Sequence, residues 1–134
     1  MAGVMSISKV REIPLELQND KNQEILAYLS YRSCHSDIIK NIEQSLSLYS
    51  DVKAFCPDGK NFKYIFWYVE TTIFACAHGM QNVYLRLAKS QSKNDKVKGA
   101  FEGIFSNEHW WSFKYNYVDL EAWIEKSYKY AKNS

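Results

Sequence analysis

Reactive side chains are sparse in this chain, and their spacing decides what each can do. Cys76 and His78 stand two residues apart in a β-rich run, so on a strand they share one face, and a thiol beside an imidazole is a known nucleophile arrangement. Neighbours at i and i+2 on one strand nevertheless sit too far apart for a good hydrogen bond. A buried cysteine and a turn-edge histidine is the favoured reading. Cys34-His35, Cys56 and His109 are residue types that bind zinc, yet none falls at ligand spacing, and no metal site is assigned. Glu102 and Glu108 flank an aromatic stretch without suggesting a paired acid and base. The sequence holds no GxxxxGK(S/T), GxGxxG, GxSxG or HExxH, so no catalytic residue and no cofactor are assigned.

Binding chemistry has better candidates. Arg86, Lys89, Lys93, Lys96 and Lys98 are opposed only by Asp95, and Tyr84 shares a strand face with Arg86. Such a loop and face can contact phosphates while a ring stacks on a base. The competing and favoured reading is a solvated loop whose lysines keep a sheet edge soluble. His109-Trp110-Trp111 offers a second candidate, because adjacent residues on a strand point to opposite sides and two Trp rings cannot enter one core face. Either helices cover both faces and both rings are core, or one ring joins Tyr115 and Tyr117 in an apolar patch suited to a protein or small ligand. Lys126, Lys129 and Lys132 are accounted for as cations near a helix C-terminus.

The elements that must position these residues read off in one pass. Residues 1–14 form an extended arm ending at Pro14. Ile25, Leu26 and Leu29 recur at helical spacing within Asn22 to Tyr31. Ser36 is placed as an N-cap with Asp37 in the first turn, and Ile38, Ile42, Leu46 and Tyr49 line one face of a helix ending near Ser50. Pro57, Asp58 and Gly59 are turn chemistry. Three strands follow: Phe62 to Val69, Thr71 to His78, and Val83 to Ala88, the last with Val83, Leu85 and Leu87 on one face. Glu70-Thr71 and the Gly79 to Asn82 loop make this a meander. A short helix over Asp95 to Ile104, a last strand over Trp111 to Tyr115, and a helix carrying Leu120, Trp123, Ile124, Ser127, Tyr128 and Ala131 behind an Asp119 N-cap complete the order. The expected fold is α+β: a single antiparallel sheet, a three-strand meander plus a short further strand, packed with N-terminal and C-terminal helices.

Size and composition bound the rest. A chain of 134 residues holds one good core, so residues 1–134 are expected as a single domain. With 46% hydrophobic and 24% charged residues the composition is that of a globular domain, not a disordered one. The excess is aromatic, with four Trp, ten Tyr and seven Phe, which fill cores, line pockets or stack on bases. A net charge of +2 is too small to argue for nucleic acid by itself. The apolar runs at Ile65 to Val69 and Ile73 to Ala77 are each shorter than the roughly 18 residues a bilayer span needs, so no membrane association is expected. The start, MAGVMSISKVREIP, lacks a signal-peptide pattern, and three widely spaced cysteines suit reduced thiols in a cytoplasm.

Ile73-Phe74-Ala75, a glycine-containing turn and Val83-Tyr84-Leu85-Arg86-Leu87 resemble the strand pair of MmcQ/YjbR-like proteins and the related TfoX N-terminal domain. Trp110 before a short strand, and Ser127-Tyr128 in a closing helix, are similar to the Trp and Ser-Tyr positions of the same family. The likeness spans residues 36–131; the segment before Ser36 and the doubled Trp110-Trp111 depart from it. It implies a compact sheet covered by helices and a non-enzymatic binding module, with nucleic acid or protein as partner. A dedicated protein antagonist of the immunity type and an unrecognised enzyme using a Cys or His are the alternatives.

Overall fold

The computed structural model describes residues 12–30, 42–57, 64–78, 82–87, 98–99 and 110–133. Six strands, β1 (Val52–Phe55), β2 (Ile65–Val69), β3 (Thr72–Ala77), β4 (Asn82–Arg86), β5 (Lys98–Gly99) and β6 (Trp110–Lys114), form one antiparallel sheet in the order β1-β2-β3-β4-β6-β5. The helices are α1 (Gln23–Leu29), preceded by two 3-10 turns (Leu15–Leu17 and Asp20–Asn22), α2 (helical residues 42–46) and α3 (Leu120–Lys132). The architecture is α+β, with β2, β3 and β4 as the expected meander.

Three expectations change. The stretch before Pro57 forms β1, paired with β2 from Val52↔Val69 to Phe55↔Phe66. Its four residues include an exposed Lys53 and Ala54, so no apolar alternation marks it in the sequence. Lys98–Gly99, placed in a helix by periodicity, instead pairs with Ser112 and Trp111 on the free side of β6. Glycine is a poor helix former, and an open strand edge offers its backbone an alternative set of hydrogen bonds. Helix α2 stops at residue 46 rather than near Ser50, where the Ser47 hydroxyl donates to the Gln44 carbonyl at 2.7 Å and the chain passes into turns. Asp119 does precede α3, but its carboxylate makes no capping bond; its backbone carbonyl accepts from Trp123 N–H at 3.2 Å. Ser36 and Asp37, Gly59, Gly79 and the other residues of the expected 95–104 helix lie outside the described residues.

Both faces of the sheet are covered. On one, Trp67 and Val69 of β2, Ala75 and Ala77 of β3, Val83 and Leu85 of β4 and Phe113 of β6 pack against Trp123, Ile124, Tyr128 and Ala131 of α3 and Ile42 and Leu46 of α2. On the other, Phe55, Phe66, Ile73, Cys76 and Trp110 pack against Leu17, Ile25 and Leu29 of the N-terminal segment. Each large side chain so buried contributes about 1.5–3 kcal/mol, enough to fix both layers.

A bulge sets the relation between them. Trp67 pairs with Ala75 and Tyr68 with Ile73, so Phe74 has no partner on β2, and Phe74 and Ala75 both turn toward α3. The β3–β4 ladder runs from Ala77↔Val83 to Ala75↔Leu85, and at the next step side chains take over from backbone. Ser127 Oγ lies 2.9 Å from the Phe74 carbonyl and 2.6 Å from the Arg86 carbonyl, its one proton shared between two acceptors. Arg86 Nε donates to the Ile73 carbonyl at 2.8 Å.

Asn22 ties the N-terminal segment to the same place. It is fully buried, and its Nδ2 donates to the Leu17 and Thr71 carbonyls, both at 2.9 Å, while its Oδ1 accepts from Ile73 N–H at 3.1 Å and Arg86 Nη2 at 3.4 Å. Every hydrogen-bonding position of the amide is used. Asn19 Nδ2 donates to the same Thr71 carbonyl at 3.0 Å, holding the tip of the β2–β3 hairpin, where Glu70 adopts φ 54. A left-handed conformation costs a non-glycine residue about 1–2 kcal/mol, and these contacts from the N-terminal segment hold the turn against that cost.

At the far end, Asp51 accepts from Tyr128 Oη at 2.7 Å and from Lys132 Nζ at 2.6 Å, and Tyr49 stacks on Tyr128 with centroids 4.2 Å apart. These contacts tie the last turns of α3 to the entry of β1.

Replacing Asn22 by Leu keeps the volume but leaves the Ile73 N–H and the Leu17 carbonyl without their partner, while the Thr71 carbonyl keeps only Asn19; we expect a loss of about 3 kcal/mol, read by urea unfolding. Asn19→Ala, at a more exposed site, should cost about 1 kcal/mol on the same assay. The bonds from Lys132 and then Tyr128 hold the Asp51 carboxyl below its ordinary value of 3.8. Its contribution to stability is therefore present above that value and lost as pH falls through the lower folded one. Thermal melts from about pH 5 to about pH 2 should show a smaller acid-induced drop in Asp51→Asn than in the parent chain.

Candidate functional site

The face that carries Tyr84 and Arg86 is interior. Alternation along β4 turns both toward the second face of the sheet, where the N-terminal segment covers them. Arg86 is 8% exposed; besides its Nε bond to Ile73, its Nη2 donates to the Lys21 carbonyl at 2.7 Å, and its guanidinium carbon lies 5.0 Å from the centre of the Trp110 ring. Burial lowers its pKa to about 10, partly offset by Tyr130, Cys76 and Glu24, so it stays a cation at neutral pH. The planar fork of arginine reaches two carbonyls and an aromatic face together, which explains the residue type here. Arg86 joins sheet and cover, and its charge is not offered to a solvent phosphate.

Tyr84 is half-buried. His78 stacks on it with centroids 4.8 Å apart and planes at 17°, and a hydrogen bond of 2.9 Å links His78 Nε2 to Tyr28 Oη. Cys76 is the register partner of Tyr84 and has no exposed surface, so a substrate in solvent cannot reach its thiol. Neither Cys56 nor Cys76 is in a disulfide, and among the described residues no group of His, Cys, Asp and Glu could hold a metal ion.

The Trp pair divides between the faces. Trp110, the register partner of Arg86, is buried in the second-face core. Trp111, opposite Leu85, is half-buried against the α3 side, where its Nε1 is buried without an acceptor among the described residues. Trp110 is a core residue, while Trp111 packs against the first-face core and stays half-buried. Lys98 lies on β5 opposite Ser112. Lys89, Lys93, Lys96 and His109 lie outside the described residues, as do Cys34 and His35.

A concave surface lies elsewhere, between the N-terminal segment and the start of β2. A groove of about 840 Å3 has Ile13, Leu26, Pro57 and Tyr64 as its apolar part. Glu12 and Asp20 place carboxylates along it, with Gln18, Asn19, Gln23 and Ser30 completing a polar rim. That size falls in the range of ligand sites, about 300–1,000 Å3, and an apolar floor with few placed polar groups is their usual composition. Local bonds order the rim: Gln18 Nε2 donates to the Ile13 carbonyl at 2.8 Å, and Ser30 Oγ to the Ala27 carbonyl at 2.9 Å. Burial raises the pKa of Tyr64, with Cys56 adding to the effect, so its phenol stays protonated. None of these residues stood out in the sequence; the available signal was the run of exposed amides and carboxylates flanking the apolar stripe of α1.

No family model, curated protein or solved structure matches the chain. Among the described residues no helix is long and apolar enough to cross a membrane.

Arg86→Lys separates the structural role from phosphate contact, because it keeps the charge and removes the fork. We expect a loss of about 2–4 kcal/mol in urea unfolding, as buried carbonyls lose their donors. A chain as stable as the parent would return Arg86 to the list of ligand contacts.

Proposed function

We propose that this chain is a non-enzymatic binding module of the MmcQ/YjbR-like type that engages a protein partner through the groove between its N-terminal segment and β2. The observation that carries this reading is the groove itself, a pocket-sized surface with an apolar floor and polar rim. The N-terminal segment that supplies most of its lining is anchored to the fold by the buried Asn22 and Arg86 contacts. Protein is favoured over nucleic acid at this place because Glu12 and Asp20 would repel phosphates. A dedicated antagonist of another protein is one form this role can take. A reducing, cytoplasmic setting accords with Cys56 and Cys76 standing outside any disulfide.

A photo-crosslinking residue at the exposed Gln23, compared with one at the exposed Glu121 on α3, tests the site in lysate of the source cells. A protein adduct at position 23 that excess unlabelled chain competes away, and that position 121 does not give, is the expected result. No adduct, or one removed by nuclease, would overturn the reading.

A further inference from the structure

The groove's charge runs against that of the chain. The protein carries a net charge of +2, yet among the described residues the only charged side chains lining the groove are the carboxylates of Glu12 and Asp20. Both are exposed, and among the described residues no cation pairs with either. Other carboxylates do find cations: Asp51 is held by Lys132, and Glu125 by Lys129 at 3.1 Å. Among the described residues, both charges beside the apolar floor are thus negative on a mildly basic molecule, an arrangement that steers and orients a partner of opposite sign. The floor adds a demand of its own. Leu26 and Ile13 are only half-buried, and a bare cation would leave their apolar surface wet.

We infer that the groove takes a basic segment of another protein, in which a lysine or arginine lies next to a large apolar side chain: the cation meets Glu12 and Asp20 while its neighbour covers Ile13, Leu26 and the Tyr64 ring. This rests on the groove being the binding site. A lysine or arginine meets both demands within one residue, since its methylene stem packs on apolar surface while the head stays near the carboxylates.

The full chain is used to select from a randomised phage-displayed dodecapeptide library, and enriched peptides are made with a fluorophore for anisotropy titrations. Enrichment of Lys or Arg adjacent to Leu, Ile, Phe or Trp is expected. Affinity should fall about two- to fivefold with Glu12→Gln or Asp20→Asn, and further with both, as rim charges typically do. It should also weaken as salt rises, because exposed charges are screened. Gln23→Arg, at an exposed position that places a competing cation in the groove, should abolish binding with an unchanged melting temperature. Peptides blocked by Gln23→Arg but indifferent to the double neutralisation would overturn the basic ligand and leave the groove standing. Peptides indifferent to Gln23→Arg, or none enriched, would overturn both. Concentration-dependent self-association of the parent chain, lost in Gln23→Arg, would make a second copy the occupant and overturn the inference as well.

Discussion

Among the described residues no carboxylate bonds the buried guanidinium of Arg86, and the architecture of the second face follows from how that cation is accommodated. Desolvating such an ion costs several kcal/mol, so it is stable only where strong acceptors meet it. The Ile73 and Lys21 carbonyls do so at 2.8 and 2.7 Å, and Trp110 adds its ring at 5.0 Å. One acceptor belongs to the sheet and the other to the N-terminal segment, so satisfying the charge requires the two to dock. Asn22 repeats the logic with a neutral amide, bonding Leu17 on the segment and Thr71 and Ile73 on the sheet. Apolar contacts at Leu17, Ile25 and Leu29 hold the layers together, and these directional bonds fix their register.

The bulge at Phe74 creates the need for this arrangement. Once Phe74 leaves the β2 ladder, the carbonyls of Ile73, Phe74 and Arg86 turn toward side chains. Arg86 serves one from the second face and Ser127 serves two from α3. Both covering layers are therefore keyed to the same step of β3 and β4. A helix displaced along the sheet by one turn would leave buried carbonyls bare, at about 1–3 kcal/mol each.

The meander and α3 were legible in the sequence because each carries its own periodicity: Val83, Leu85 and Leu87 alternate, and Leu120, Trp123, Ile124, Ser127 and Tyr128 recur at helical steps. β1 was not, since its membership is decided by an edge that β2 offers. Lys98–Gly99 went the same way, with β6 supplying the edge. The β4 reading was half right. Alternation correctly placed Tyr84 and Arg86 on the face opposite Leu85, but a strand pattern cannot say whether that face is covered. The cover comes from residues 12–30, far away in sequence. The groove was invisible for the same reason, as its wall joins that segment to Pro57 and Tyr64.

That separation bears on how far the MmcQ/YjbR-like resemblance can carry a ligand. The residues on which it rests are engaged in building the fold: Ser127 bonds the Phe74 and Arg86 carbonyls, Tyr128 bonds Asp51, and Trp110 lies against Arg86. Any chain with the same bulged sheet and closing helix needs similar groups there, whatever it binds. The resemblance begins at residue 36, whereas Glu12, Ile13, Asp20 and Leu26 all precede it. Most of the groove's lining thus lies outside the stretch that carries the resemblance. Under the proposed reading, recognition rests on the N-terminal segment, held in place by the buried contacts of Asn22 and Arg86.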